Sequence, residues 1–182
     1  TLGDNGLSVV ITGSLCASVG SGLSRRQSVR FGQSRGSSFR QKASGWNCRI
    51  PGSRPFHTRN PAAARINEGR VMVYGTMGGE GQPQTQAAVF SRYARHGVPL
   101  QEAICRPRWL LGRTWGQEST SLKLEPGFDP TVVQALQDAG HVIEQLPGMS
   151  SIMGHAGAIV RHANGRLEGA TDPRSDGSVA AW

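Results

Sequence analysis

Aromatic residues are scarce in this 182-residue chain, at 6%, and hydrophobic residues of all kinds reach only 37%. That is thin for an autonomous globular enzyme of this length, yet enough for one domain or for one subunit of something larger. Long apolar runs are missing. Leu7–Ile11 and Ala156–Val160 are among the longest and fall far short of the ~20 residues that a membrane-spanning helix needs, which excludes that class. No basic stretch followed by an apolar core opens the chain, so no secretory signal is expected. Cysteine is limited to Cys16, Cys48 and Cys105, an odd number without CxxC spacing. This argues against a disulfide framework and a structural zinc site, and it is compatible with a reducing compartment.

Acidic residues are rare at one end only. The net charge is +8, and residues 1–50 carry seven Arg and Lys against one acid, Asp4. The remaining residues are nearly balanced, with thirteen basic against eleven acidic side chains. Basicity therefore belongs to the first fifty residues, a Ser-, Gly- and Arg-rich stretch without a sustained period of 2 or 3.6. Phe31, Phe39 and Trp46 interleave with its arginines, but the motif of a nucleic-acid-binding module is lacking, so no nucleic-acid partner is expected. Two regions follow: a basic segment over 1–50 and a folded part over 51–182.

What is abundant is glycine, 25 residues in all, and its placement helps to punctuate the elements. Leu7–Leu15 suits a strand behind the Asn5-Gly6 turn signal. Arg70–Tyr74 reads as a strand ending at Gly75, and Gln84–His96 as a helix closed by Gly97. Pro99 can start a second helix that stops before Pro107. Leu122–Leu124 is a short strand candidate, and Asp129-Pro130 caps a helix that closes at Gly140. His141–Leu146 reads as a strand, and Ala156–His162 with Arg166–Ala170 flank the hairpin signal Asn164-Gly165. That late hairpin favours a mixed or antiparallel sheet over a doubly wound one.

Three features could carry chemistry. In Tyr74–Gln86 (YGTMGGEGQPQTQ) a strand runs into consecutive glycines and then into a helix, leaving the backbone N–H groups of Gly78 and Gly79 able to stabilise an oxyanion. A tight turn that only glycine can make is the alternative reading. In Arg54–Pro61 two prolines pin a segment presenting Arg54, His57 and Thr58, groups suited to a carboxylate or to capping backbone. Thr1 could act as an N-terminal nucleophile whose own α-amine is the general base. His96, His141, His155 and His162 have no carboxylate or cysteine partner at metal-ligand spacing, and no metal is expected; His155 suits a structural hydrogen bond.

The motifs RPFHTRNPAAAR (Arg54–Arg65), GRVMVYGTMGGEGQPQTQ (Gly69–Gln86), RPRWLLGRTWG (Arg106–Gly116), MGHAGAIVRH (Met153–His162) and EGATDPRSDG (Glu168–Gly177) resemble the small, C-terminal subunit of the gamma-glutamyltranspeptidase family. Within that family they look most like the oxamate amidohydrolase-like branch. The resemblance implies an α+β chain, the small-subunit part of an αββα sandwich of the N-terminal nucleophile hydrolase type. It implies a precursor that cuts itself, a large subunit as partner, a small carboxylate-bearing amide as substrate, and neither cofactor nor membrane. By the same resemblance Thr1 is the nucleophile, Ser14 a hydroxyl that hydrogen-bonds it, and Gly78 and Gly79 the oxyanion hole. His57 and Thr58 fall on positions that hold the substrate carboxylate, and Arg35 and Ser38 on further substrate-binding positions. The implied setting is cytoplasmic, or periplasmic with a signal peptide on the precursor. The first fifty residues depart from the family pattern: only Leu2–Asn5 separate Thr1 from Gly6, a shorter interval than the family shows. The competing expectation is thus a catalytically inactive, family-derived fragment without nucleophile or large subunit.

Overall fold

In the central strand, apolar side chains alternate between two faces, and the register with its neighbours decides which face forms the core. The structure, a computed structural model, describes residues 51, 60–114 and 118–180. The described elements lie in a compact unit that takes in residues 60–182. They run β1 (Ala62–Ile66), β2 (Arg70–Met77), a 3₁₀ turn (Gly79–Gly81), α1 (Gln82–Phe90) with a wider π-type continuation (Ser91–Arg95), α2 (Leu100–Cys105), β3 (Trp109–Leu111), β4 (Leu122–Leu124), α3 (Pro130–Asp138), β5 (Ile143–Gln145), a second 3₁₀ turn (Ser151–Met153), β6 (His155–Arg161) and β7 (Leu167–Thr171).

Four strands form an antiparallel sheet in the order β1-β2-β6-β7. Met72 lies opposite Val160, Tyr74 opposite Ala158, and Ala158 in turn opposite Ala170. Because side chains alternate along a strand, these residues share one face. They pack with Val89, Tyr93, Leu100, Ala103 and Ile104 from the helices, and Met72, Leu100, Ala103, Ile104 and Val160 are fully buried. Small alanines on the strands let the helices approach closely. The Tyr74 and Phe90 rings stack at 5.6 Å, and the Arg70 guanidinium lies 5.5 Å from the Tyr93 ring centre.

A second, three-stranded sheet has the order β3-β4-β5, antiparallel then parallel. Gln84 of α1 donates to the Leu111 carbonyl at 3.0 Å and accepts from the Leu111 amide at 2.8 Å. The side-chain amide thus acts as one more pairing residue on edge strand β3. The mixed pairing matches what the late hairpin suggests. No helix among the described residues is long and apolar enough to cross a membrane.

The helix ends follow their punctuation. Gly97 takes φ +65° after the first helix, and Arg106 is extended before Pro107. The Asp129 carboxylate accepts from the Thr131 amide at 2.8 Å. Strand β2 does not end at Gly75: it continues to Met77, with Gly75 paired opposite Gly157. A glycine inside a strand resembles a terminator in sequence, yet another strand can pair with it.

Helix α3 buries none of its residues, and Val132 is 49% exposed. In chemical denaturation, Met72→Ala is expected to cost about 2–5 kcal/mol. Val132→Ala should stay within about 0.5 kcal/mol of wild type.

Candidate active site

Strand β2 delivers the chain into a turn with unusual backbone angles. Gly78 has φ +148° and Gly79 φ +54°, regions that glycine enters without Cβ strain. Among the described residues, neither of these two amide N–H groups has an acceptor. The carbonyls beside them are held. The Met77 carbonyl accepts from the Thr76 hydroxyl at 2.7 Å, and the Gly78 carbonyl from the Gly81 amide at 2.9 Å and the buried Thr114 hydroxyl at 3.0 Å. Helix α1 begins at Gln82, so its positive end lies just behind the turn. Such an arrangement can receive negative charge on an oxygen without using a side chain.

The turn is braced from below by Gly154. A Cβ there would sit 2.2 Å from the Met77 carbonyl oxygen, and one on Gly78 would sit 3.3 Å from the Gly154 Cα. Three hydrogen bonds fix this neighbouring segment. The Thr85 hydroxyl donates to the Met153 carbonyl at 3.0 Å, and Arg108 donates to the Met153 and Gly154 carbonyls at 3.2 and 3.0 Å.

Arg108 belongs to a quartet of buried charges with Asp172, Arg174 and Glu125. Arg108 meets Asp172 at 2.6 Å, and Arg174 meets Asp172 at 3.1 Å and Glu125 through both nitrogens of its fork. The Glu125 carboxylate also accepts from the Arg108 and Ser150 amides, and Asp172 from the Ala156 and Arg174 amides. Two positive and two negative groups therefore cancel, with most polar atoms paired; Arg108 Nε lacks a partner among the described residues. Burial would raise the Asp172 carboxyl, but the Ala156 amide and the Arg108 guanidinium outweigh it and hold the group below the usual carboxylate range. Burial pulls Arg108 down, against the opposing pull of Asp172. For Arg174 the effect of burial is overcome by the Glu125 hydrogen bond, and its value rises.

Of the residues singled out from sequence, Gly78 and Gly79 fall together in this turn. Thr1, Ser14, Arg35, Ser38, His57 and Thr58, like Cys16, Cys48 and the strand expected at Leu7–Leu15, lie outside the described residues. Asn60, near the end of the Arg54–Pro61 segment, accepts through its carbonyl from Gln86 of α1. His162 does meet a carboxylate: its Nε2 lies 2.8 Å from Glu168 across the β6–β7 hairpin, a contact that spacing alone did not suggest. The His155 Nε2 is closed off from solvent and has no hydrogen-bond partner among the described residues. The side chain borders an open cleft of about 480 Å³ with Ser151, Ser175 and Asp176. Among the described residues no three His, Cys, Asp or Glu side chains gather as a metal-ligand set. Sequence reasoning gave no role to Arg108, Thr114, Glu125, Gly154, Asp172 or Arg174. The RPR, MGH and DPR triplets around most of them were the available signal.

The family model for gamma-glutamyltranspeptidase matches residues 1–182. The chain belongs to the gamma-glutamyltranspeptidase family. It is similar to the oxamate amidohydrolase proenzyme of Klebsiella pneumoniae, with 56% identity over 98% of this chain and 34% of that protein. It is also similar to the glutathione hydrolase-like YwrD proenzyme of Bacillus subtilis, with 42% identity over 81% of this chain and 28% of that protein. The chain thus spans about a third of the length of these curated relatives. A solved gamma-glutamyltranspeptidase from Pseudomonas nitroreducens aligns over 100% of this chain and 96% of the solved chain, with TM-score 0.72 and 22% identity. The fold is α+β, of the N-terminal nucleophile hydrolase type.

Two outcomes follow from the brace and its charges. Gly154→Ala is expected to cost more than about 1 kcal/mol in denaturation, because its φ of +82° and the Met77 carbonyl both reject a Cβ. A depressed Asp172 stabilises the fold above the ordinary carboxylate range, and that contribution fades as pH falls through its folded-state value. Denaturation midpoints should therefore drop progressively below about pH 5. Asp172→Asn should lose about 3–5 kcal/mol at neutral pH and show a shallower acid dependence.

Proposed function

We propose that this chain is the small, nucleophile-bearing subunit of an amide hydrolase or acyltransferase that acts on a small amide with a neighbouring carboxylate. The observation that carries the reading is the Gly78–Gly79 pair, whose amides have no acceptor among the described residues, in a chain 56% identical to an oxamate amidohydrolase proenzyme. The end-to-end alignment with a separate solved transpeptidase chain supports the subunit assignment. The large partner then comes from the same precursor.

In this reading the Thr1 hydroxyl attacks the amide carbon while its proton passes to the Thr1 α-amine. The Gly78 and Gly79 amides receive the negative charge on the carbonyl oxygen. Collapse breaks the carbon–nitrogen bond, and the leaving nitrogen takes the proton back from the α-ammonium. Water, or an acceptor amine, then attacks the acyl ester and frees Thr1. Ser14 hydrogen-bonds the nucleophile, Arg35, His57 and Thr58 hold the substrate carboxylate, and Ser38 is a further substrate-binding residue. Every protein group named in this scheme lies on this chain. A cytoplasmic setting goes with the oxamate-type reading, and a periplasmic one with a precursor that carries a signal peptide.

The short Thr1–Gly6 interval favours a second reading, an inactive family-derived fragment. Intact mass of the natively purified protein separates the two. The first reading expects a large chain together with a small chain beginning at Thr1, and ammonia release from oxamate. Thr1→Ala in the precursor should abolish the cut and reduce ammonia release by at least about 1,000-fold. A chain with no cut before Thr1 would support the second reading.

A further inference from the structure

We propose that Thr114 is a positioning residue for amide cleavage: its hydroxyl locks the Gly78–Gly79 peptide so that the Gly79 N–H faces the reacting carbonyl. The proposal rests on the functional reading above and assigns a residue that the reading does not contain.

A trans peptide is planar, and its C=O and N–H point in opposite directions. Fixing the Gly78 carbonyl therefore fixes the Gly79 N–H. Rotation of this peptide has little steric resistance, because it joins two glycines. Two donors restrain it, the Gly81 amide at 2.9 Å and the Thr114 hydroxyl at 3.0 Å. Thr114 is 1% exposed, so no bulk water stands ready to replace its hydroxyl. A hydrogen bond to the carbonyl also polarises the peptide and makes its N–H a stronger donor. Thr114 reaches this position from a loop that is itself anchored. Gly112 donates to the Ser121 carbonyl at 2.9 Å, and its own carbonyl accepts from the buried Lys123 ammonium at 3.0 Å. The same ammonium donates to the Ser119 and Ser121 hydroxyls, each at 2.9 Å. Gly112, two residues before the threonine, is thus held at both its amide and its carbonyl.

The test uses the complete, processed protein and compares Thr114→Val, which keeps the shape, with Thr114→Ser, which keeps the hydroxyl. Steady-state ammonia release from oxamate should show kcat at least about 10-fold lower for Thr114→Val, below the loss seen when a whole oxyanion donor is removed. KM should be nearly unchanged, and Thr114→Ser should recover most of the rate. Thr114→Ala gives the same comparison if valine disturbs folding. Selective ¹⁵N-glycine labelling supplies a readout independent of turnover, since the Gly79 nitrogen senses the hydrogen bond on the preceding carbonyl. Its resonance should move in the valine variant and return in the serine variant. An unchanged kcat, or a serine variant as slow as valine, would overturn the proposal. A wild-type enzyme without turnover would instead overturn the functional reading. The glycine resonance would then still decide whether Thr114 sets this peptide, and an unmoved signal would sink that as well.

Discussion

Two guanidinium groups and two carboxylates, closed off from water, tie together segments that are distant in sequence. Arg108 and Glu125 lie 17 residues apart, and Glu125 and Arg174 lie 49 apart. Burying four charges is costly unless nearly every polar atom finds a partner, and here the backbone supplies many of them. Arg108 and Arg174 both donate to the Ile104 carbonyl near the end of α2, and Asp172 accepts from the amide of Ala156, the second residue of β6. The quartet contributes a fixed relative position for α2, β4, β6 and β7. That geometry follows from the directionality of charged hydrogen bonds, which apolar packing lacks.

The catalytic proposal depends on this geometry through one contact. Gly154 can lie against Met77 and Gly78 only because it has no side chain, and it stays there because Arg108 and Thr85 hold its segment. The turn above is then confined on both sides, by Gly154 beneath and by the loop carrying Thr114. Backbone donors in such a turn need no reorganisation when charge develops, which is how fixed dipoles lower a barrier. Polar residues at the start of α1 serve the same end. Gln84, Thr85 and Gln86 each tie a different segment to the helix, so a sequence that looks solvent-facing is partly buried.

Much of the fold was legible because local chemistry announced it. Asp129-Pro130, Gly97 and Asn164-Gly165 mark their helix ends and hairpin by backbone rules that hold regardless of tertiary context. Strand β1 escaped notice because its alanines have little β-propensity, and β3 because its Trp-Leu-Leu run lacks the apolar–polar alternation of Leu122–Leu124. The glycine pair was legible as a turn with free donors. Its supports were not, since the charges of the quartet and the hydroxyl of Thr114 meet it only through the fold. Family resemblance pointed to the right stretches around Arg108, Asp172 and Arg174 but could not say that they converge.

The central claim is that Gly78 and Gly79 take up the charge of an amide opened by Thr1. A crystal structure of the complete protein, trapped with a slowly released electrophilic analogue of a carboxylate-bearing amide, tests it most directly. The account predicts a covalent bond to the Thr1 hydroxyl oxygen, with the former carbonyl oxygen about 2.7–3.1 Å from the Gly78 and Gly79 nitrogens. An adduct on another residue, or an oxygen turned away from both glycines, would contradict it.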